Sequence, residues 1–343
     1  MSLVLNGTTG ITNLPSINSG QIGGRRNIVI NGEMKVAQRS TSVAGLGAAG
    51  GYFTLDRWYV QPNSAGRFTM AQVADGPAGF ANSLKISTTT ADTSIDAAEY
   101  FVFRQRFEGQ DLQQLKKGTA SAEQVTVSFW VKGNAAAVYV YELEDQDNNR
   151  VIQQSFAVTT SWNRIELTFA ADTTDAFDDD NAGSLSINIW LHAGSDYTSG
   201  TFAVNTWVDV VQANRYAVAD RTSIFDATSR TFFLTGVQME LGATATDFEH
   251  KSFGEELTLC QRYYQKFIQG SFVSLVGSFS YYLPWKVSMR VAPTPTTSGG
   301  TAANVNAQSW NDTDIHGSRY SMNTTSSGGG YYGQTVELTG AEL

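Results

Sequence analysis

The sequence has very little cysteine, little proline and no long apolar run. Cys260 is the single cysteine among 343 residues, so neither an intrachain disulfide nor a multi-cysteine zinc site can form. No run of about 18 apolar residues occurs, as a membrane-spanning helix would require, and the first residues lack a signal-peptide pattern. We therefore expect a protein made in the cytoplasm, without membrane insertion, that is held together by side-chain packing.

Positive charge is also scarce. Lys and Arg total 23 against 32 Asp and Glu, which gives a formal net charge of -9. Nucleic-acid binding depends on neutralising phosphates with basic side chains, so this balance argues against a nucleic-acid partner. His192, His250 and His316 are far apart in sequence, and H-E-x-x-H, G-x-S-x-G and P-loop motifs are absent. The sequence favours a non-enzymatic protein that requires no cofactor.

Strand-forming residues are abundant. Apolar residues make up 41% of the chain and aromatic residues 12%, and 32 glycines supply turns. In "SLSINIWLH", Leu185, Ile187, Ile189 and Leu191 alternate with Ser186, Asn188, Trp190 and His192. "VTVSFWVKG" alternates in the same way, and long helices between the strands are absent. The pattern predicts an all-β fold with a jelly-roll β-sandwich over residues 27–251.

A short helix is predicted after the sandwich. Ser252 and Glu255 form a capping-box pattern, and Leu257, Cys260 and Tyr264 lie at i, i+3 and i+7. We expect a helix over about residues 253–267, followed by a smaller C-terminal β domain that completes residues 252–343. Within the apolar stripe, Cys260 is interpreted as a small packing residue and not as a nucleophile.

Several stretches suggest binding sites. Asp178, Asp179 and Asp180 offer oxygen ligands for a structural calcium ion, with a solvated loop as the alternative. "GLGAAG" matches a dinucleotide fingerprint, but the stretch after it resembles a strand, so a flexible loop is favoured.

Aromatic residues in polar surroundings suggest a glycan site. Trp310 lies in "NAQSWNDTDIHG", and Tyr331 and Tyr332 lie in "SSGGGYYGQ". Rings in such loops can be exposed and can stack on sugars, so these three residues are the candidate glycan-binding residues. The alternative is a satellite packing cluster.

Residues 1–26 differ from the rest of the chain. They are rich in Gly, Asn, Thr and Ser, and their isolated Leu and Ile residues follow neither the helical nor the strand period. Such a segment cannot bury enough apolar surface to fold alone. We expect it to be largely extended and to become ordered against a partner.

Several motifs together resemble a known family. "NIVINGEMKVAQRSTS", "TLDRWYV", "VTVSFWVKG", "FEHKSFGEELTLCQRYYQK", "MRVAPTPT" and "AEL" occur in the order found in phage tail fibre and related virion proteins. The resemblance spans residues 27 to 343. It implies a virion protein whose central jelly-roll is similar to carbohydrate-binding modules.

The resemblance also implies partners and a location. The chain would be a homotrimeric, non-enzymatic tail fibre or spike component that attaches to another virion protein through residues 1–26 and binds host surface polysaccharide. The helical stripe could then pack about the threefold axis. Two alternatives remain open: a spike enzyme that cleaves polysaccharide with two carboxylates, and a structural head-decoration or adaptor protein without glycan affinity.

Overall fold

The computed structural model describes residues 16–17, 20–21, 25–273, 276–325 and 330–343, which form an all-β protein with short helices. Most of the segment 1–26 therefore lies outside the described residues. Within the described ranges, no helix combines the length and the apolar character needed to cross a bilayer.

The strands up to the C-terminal helix follow in chain order. They are β1 (Ser16–Ile17), β2 (Gly20–Gln21), β3 (Ser42–Leu46), β4 (Tyr59–Asn63), β5 (Arg67–Val73), β6 (Ser83–Thr90), β7 (Tyr100–Glu108), β8 (Val125–Gly133), β9 (Ala137–Asp145), β10 (Arg150–Val158), β11 (Asn163–Phe169), β12 (Gly183–Ala193), β13 (Val208–Asp209) and β14 (Thr231–Leu241). A one-turn helix α1 (Ser195–Thr198) and three short 3-10 turns (Gly109–Asp111, Gln113–Leu115 and Gln212–Asn214) lie between them.

The larger part of the molecule is a jelly-roll sandwich of two six-stranded sheets. The first sheet has the strand order β13-β10-β9-β12-β7-β4, and the second has β11-β8-β14-β6-β5-β3. Aromatic pairs hold the two inner faces together: Phe129 of β8 stacks on Tyr141 of β9 with centroids 5.1 Å apart, and Phe68 of β5 stacks on Phe101 of β7 at 4.7 Å. The strand periodicity thus produces the predicted fold class, because alternate side chains from both sheets fill one core.

The C-terminal helix α2 (Phe253–Gln261) follows the sandwich. Its capping box forms as predicted: the Glu255 amide donates to Ser252 Oγ, and the Ser252 amide donates to Glu255 Oε2 at 2.8 Å. The predicted end near residue 267 is wrong. The helix ends at Gln261 because residues from Gln265 onward pair as a strand, and that pairing satisfies their backbone groups instead.

A smaller β unit follows α2. It contains β15 (Gln265–Val273), β16 (Gly277–Pro284), β17 (Thr294–Ala303), β18 (Val305–Asn311), β19 (Gly317–Thr324) and β20 (Gly330–Thr339). These form two three-stranded sheets with the orders β15-β20-β17 and β16-β19-β18. Trp285, Met289, Val336, Leu338 and Ala341 form a buried apolar cluster in this unit.

Cys260 lies where α2 packs on the sandwich. It is fully buried in a cluster with Ile30, Val36 and Tyr263, and burial raises the pKa of its thiol. Tyr264 is 1% exposed within the single chain and Leu257 is half-buried. Within the single chain, Cys260 and Tyr264 are therefore packed against the sandwich, and the contact of the stripe with a threefold axis stays a prediction.

Two guanidinium groups, that of Arg57 buried and that of Arg39 half-buried, connect the sandwich, α2 and the C-terminal unit. Arg57 is 0% exposed, its Nη1 lies 3.3 Å from Glu342 Oε2, and its guanidinium carbon lies 3.5 Å from the ring centroid of Tyr263. Arg39 makes equivalent contacts. Its Nη2 lies 2.9 Å from Glu342 Oε1, and its guanidinium carbon lies 3.5 Å from the ring centroid of Tyr264. We call these five residues the junction.

Cys260→Ser should lower the free energy of unfolding by roughly 1 to 3 kcal/mol, because it buries a hydroxyl in an apolar cluster. Cys260→Ala is the matched control, since it removes the sulfur without adding a polar group. Denaturant titration should place the serine variant below the alanine variant in stability. Reaction of a thiol reagent with the native wild-type protein at its rate for the unfolded chain would contradict the burial.

Asp56, beside the junction, should make stability depend on pH. Burial raises the pKa of Asp56 to about 6, whereas an unfolded aspartate titrates near 3.9. The folded state therefore binds the proton more tightly, and this contribution to stability is complete below about pH 4 and lost as the pH rises through about 6, at a cost of roughly 3 kcal/mol.

The test compares wild type with Asp56→Asn by urea unfolding between pH 4 and pH 7. As the pH rises, the free energy of unfolding should fall for wild type relative to Asp56→Asn, because asparagine has no titrating proton. Parallel pH profiles for the two proteins would show that Asp56 is not the titrating group.

Candidate functional site

The outer face of the first sheet carries a row of polar residues. Tyr59 on β4, Arg104 on β7, Asn188 on β12, Glu142 on β9 and Gln153 on β10 are successive cross-strand partners. Residues opposite each other in antiparallel strands share a face, so all five point to the same side. Their neighbours along the strands, such as Phe103, Tyr141 and Ile189, fill the sandwich core instead. We call the five residues the polar row.

Glu142 is the most heavily bonded member of the polar row. Asn188 Nδ2 donates to its Oε1 at 2.9 Å, and Gln153 Nε2 donates to its Oε2 at 2.9 Å. Arg215 donates to both oxygens and lies 2.9 Å from Glu144 Oε2. Arg215 belongs to the segment 195–217, here called the strap, which therefore covers this end of the row.

Two arginines on the same face have no such anionic partner. Among the described residues, no carboxylate oxygen lies within 4.0 Å of Arg104 or Arg106, and the Nε of each is buried without a hydrogen-bond partner. Arg104 is 8% exposed. Burial, and then the charge of Arg106, lowers the pKa of Arg104. The carboxylates of Glu144 and Glu142 counteract this shift only from a distance and are paired with Arg215. A buried cation without a close ion-pair partner is costly, so this face has capacity for an added anion.

Further polar atoms on this face lack partners as well. The buried Oδ1 of Asn188, Oε1 of Gln153 and Nε1 of Trp190 make no hydrogen bond within the described chain. Aromatic rings border the row: Tyr100 is half-buried, with its centroid 5.3 Å from that of Tyr197, and its hydroxyl accepts from Gln61 Nε2 at 3.0 Å. The face therefore combines unsatisfied hydrogen-bonding groups with partly exposed rings.

A second cluster lies at one end of the sandwich. Asp92, Glu99 and His192 have ligand atoms that all lie within 4.8 Å of one another. We call them the carboxylate–histidine cluster. Glu99 also lines an adjoining cleft of about 370 Å³, whose other polar walls are Asn63, Ser64, Arg67 and Asp96.

Burial controls the protonation of this cluster. It raises the pKa of Glu99, an effect that the hydrogen bond and charge of nearby Asp92 reinforce. Burial also lowers the pKa of His192 to about 4. The imidazole is therefore neutral at neutral pH.

The glycine-rich stretch "GLGAAG" borders the same cleft. A Cβ on Gly47 would lie 2.3 Å from the Gly66 carbonyl oxygen, and Gly47 has φ +137°. The glycine is therefore needed for close approach of two loops, in agreement with the loop interpretation of this motif.

The predicted glycan-binding residues do not form an exposed loop site. Trp310 lies in strand β18 and is half-buried, with its centroid 6.0 Å from Trp285 and 4.8 Å from Tyr320. Trp310 therefore packs in a satellite cluster, as the alternative to a sugar-stacking ring predicted. The backbone of Tyr331 and Tyr332 pairs within β20 instead of forming a loop, and their side chains lie outside the described residues.

The predicted calcium ligands are not brought together. Asp178, Asp179 and Asp180 are exposed, and the carboxylate–histidine cluster is the group of three potential ligands found within the described ranges. Asp180 Oδ1 instead accepts from the Ala182 amide at 2.8 Å, as in a turn. The solvated-loop alternative describes these residues.

Comparisons with known proteins give only distant likenesses. No family model matches the sequence, and no curated protein matches it either. The family 11 carbohydrate-binding module of cellulase Lic26A-Cel5E from Clostridium thermocellum is 14% identical with a TM-score of 0.30, covering 57% of this chain and 92% of the module.

A CBM4 structure is 12% identical with a TM-score of 0.32, covering 62% of this chain and 97% of the other. TmCBM61 in complex with β-1,4-galactotriose is 11% identical with a TM-score of 0.32, covering 63% and 99%. At these scores the likenesses carry no functional argument.

Proposed function

We propose that this protein binds an acidic polysaccharide, without cleaving it, on the outer face of the first sheet. The observation that carries the proposal is the pair Arg104 and Arg106, which lie on a polar sheet face with no carboxylate of the described chain within 4.0 Å. A guanidinium group forms paired, charge-assisted hydrogen bonds with a carboxylate. A sugar carboxylate would thus supply the close ion-pair partner that Arg104 and Arg106 lack within the described chain.

The neighbouring groups suit the rest of a sugar chain. Sugar rings can stack on the partly exposed Tyr59 and Tyr100. The strap covers the Glu142 end of the polar row, so the ligand would approach from the β4 and β7 side. There Arg106 is half-buried and accessible.

The biological setting of this proposal rests on the sequence resemblance. The protein would be a virion fibre or spike component that attaches to the particle through residues 1–26 and binds host surface glycan. Weak sites repeated around a homotrimer would combine through effective concentration.

The cleaving-enzyme alternative has less support from the geometry. Glu142 and Glu144 are both engaged by Arg215, and the ligand atoms of Asp92 and Glu99 lie within 4.8 Å of each other. Glycosidase carboxylates are about 5 to 9.5 Å apart, a spacing that leaves room for the sugar or a water molecule. We therefore favour a binding protein over a cleaving enzyme, and a structural protein without glycan affinity is the second candidate.

Arg104→Met should weaken binding of an acidic polysaccharide by roughly tenfold to a hundredfold, because it removes a charged hydrogen-bonding group. The same change should leave the unfolding free energy unchanged or raised, since methionine removes an unpaired buried charge at similar volume. Calorimetry with acidic and neutral polysaccharides, alongside denaturant unfolding, measures both effects.

Arg319→Met is the matched control, because Arg319 is 58% exposed and lies in the C-terminal unit. Arg319→Met should bind the acidic polysaccharide with the same affinity as wild type. Undiminished binding by Arg104→Met would contradict the site, and absence of any glycan binding by wild type would favour the structural alternative. Shortened polysaccharide chains after incubation with wild type would establish the enzyme instead.

The assembly state is tested separately by measuring the mass of the protein in solution. We expect a trimer from the resemblance, since the repeated sites require it. A stable monomer at concentrations where glycan still binds would contradict the trimer and leave the binding site intact.

A further inference from the structure

We propose that Asp92, Glu99 and His192 bind a divalent transition-metal ion, with Zn²⁺ as the representative ion, at one end of the sandwich. This inference is independent of the proposed glycan site. Asp92 and Glu99 lie in one loop, between β6 and β7, whereas His192 lies near the end of β12, about ninety residues later. The fold alone brings their ligand atoms within 4.8 Å of one another.

The imidazole provides an observation independent of the acidic pair. His192 is 0% exposed, and its Nε2 is buried without a hydrogen-bond partner. Nε2 lies 3.8 Å from Glu99 Oε2, which is too long for a hydrogen bond. A buried, unpartnered ring nitrogen directed at two carboxylates has the arrangement of a metal ligand.

The other side of the imidazole ring is already held in place. His192 Nδ1 lies 2.7 Å from Ser223 Oγ, and the ring packs edge-on against Phe225 with centroids 5.2 Å apart. If Nδ1–H donates to Ser223 Oγ, the Nε2 lone pair is free to coordinate. Metal-binding histidines commonly use their second nitrogen in this way.

The carboxylates are held while retaining free lone pairs. Glu99 Oε1 accepts from the Ala65 amide at 2.8 Å, and Oε2 accepts from the Asp96 amide at 3.0 Å. Asp92 Oδ2 accepts from Ser64 Oγ at 2.8 Å. Each carboxylate oxygen has two lone pairs, so these contacts orient the groups and leave capacity for a cation.

No cationic side chain of the described chain neutralises the two carboxylates. Within the ranges that the structure describes, no lysine or arginine nitrogen lies within 4.0 Å of Asp92 or Glu99. Arg67 lies at the adjoining cleft, but its Nη1 donates to the carbonyl groups of Ser64, Ala65 and Gly66. The two carboxylates therefore share their site with an unpartnered imidazole nitrogen and have no described cationic side chain beside them. Either a shared proton or a metal ion would relieve the repulsion between them.

The ligand set selects the class of metal. One imidazole nitrogen with two carboxylate groups suits Zn²⁺ and similar ions, which bind such ligands at about 2.0 to 2.2 Å. Calcium prefers six to eight oxygen ligands at about 2.3 to 2.6 Å, so an imidazole in the set argues against it. Because Glu99 lines the cleft, the ion would lie at the cleft wall.

Untagged, chelator-treated protein should bind one Zn²⁺ per chain by calorimetry and one Co²⁺ per chain with visible absorption bands. Zinc should also raise the melting temperature of wild type, since it binds the folded state. His192→Gln and Glu99→Gln should each weaken metal binding by at least about tenfold. Glu99→Gln keeps the shape of the side chain, so it tests the carboxylate even if His192→Gln is unstable.

His250→Gln is the matched control. His250 also contacts one carboxylate, that of Glu33, but its side chain is 51% exposed and lies outside the cluster. This variant should bind zinc as wild type does. Loss of binding in His250→Gln but not in His192→Gln would overturn the assignment.

Two further outcomes would also overturn it. One is no stoichiometric Zn²⁺ or Co²⁺ binding by wild type, which would leave a proton shared by the two carboxylates as the explanation. The other is equally tight calcium binding that His192→Gln does not alter. Arg104→Met should retain metal binding whatever its effect on glycan, so the two proposals fail separately.

Discussion

The arrangement of the molecule depends on the burial of the Arg57 guanidinium. This group is removed from water, and the contacts that compensate come from three parts of the chain: the Arg106 carbonyl in the first sheet, Tyr263 after α2, and Glu342 beyond the last strand. A buried cation is tolerated only if its partners stay in place. The sandwich, the helix and the C-terminal unit are therefore held in one relative position by an electrostatic requirement that apolar contacts alone would not impose.

The fold class could be predicted from the sequence because it follows from local periodicity. Alternation in β12 and the capping pair Ser252 and Glu255 are properties of neighbouring residues, and both form as expected. The end of α2 could not be predicted in the same way. The backbone groups after Gln261 are satisfied by β20, more than sixty residues later in the chain, and that pairing overrides the helical spacing of Tyr264.

The candidate sites were less predictable than the fold. The alternation along β12 predicts that Asn188 and His192 both face away from the core, but a register shift between Trp190 and His192 pairs His192 with the core residue Phe101. Only Asn188 therefore lies on the outer face. Asn188 contacts Glu142 beneath the strap, whereas His192 meets two carboxylates of the loop between β6 and β7. Trp310 shows the converse, since polar neighbours in sequence suggested exposure while Trp285 and Tyr320 pack against its ring.

The spacing between the members of the polar row is also fixed. Its members lie on five adjacent strands, one residue from each, and neighbouring strands are separated by about 4.8 Å through their hydrogen bonds. The distance between Tyr59 and Gln153 is thus set at roughly 19 Å by backbone geometry and not by side-chain choice. If the row binds a polymer as proposed, a substitution in it would change which chemical group is contacted on one strand, while the spacing between successive contacts would stay fixed by the sheet.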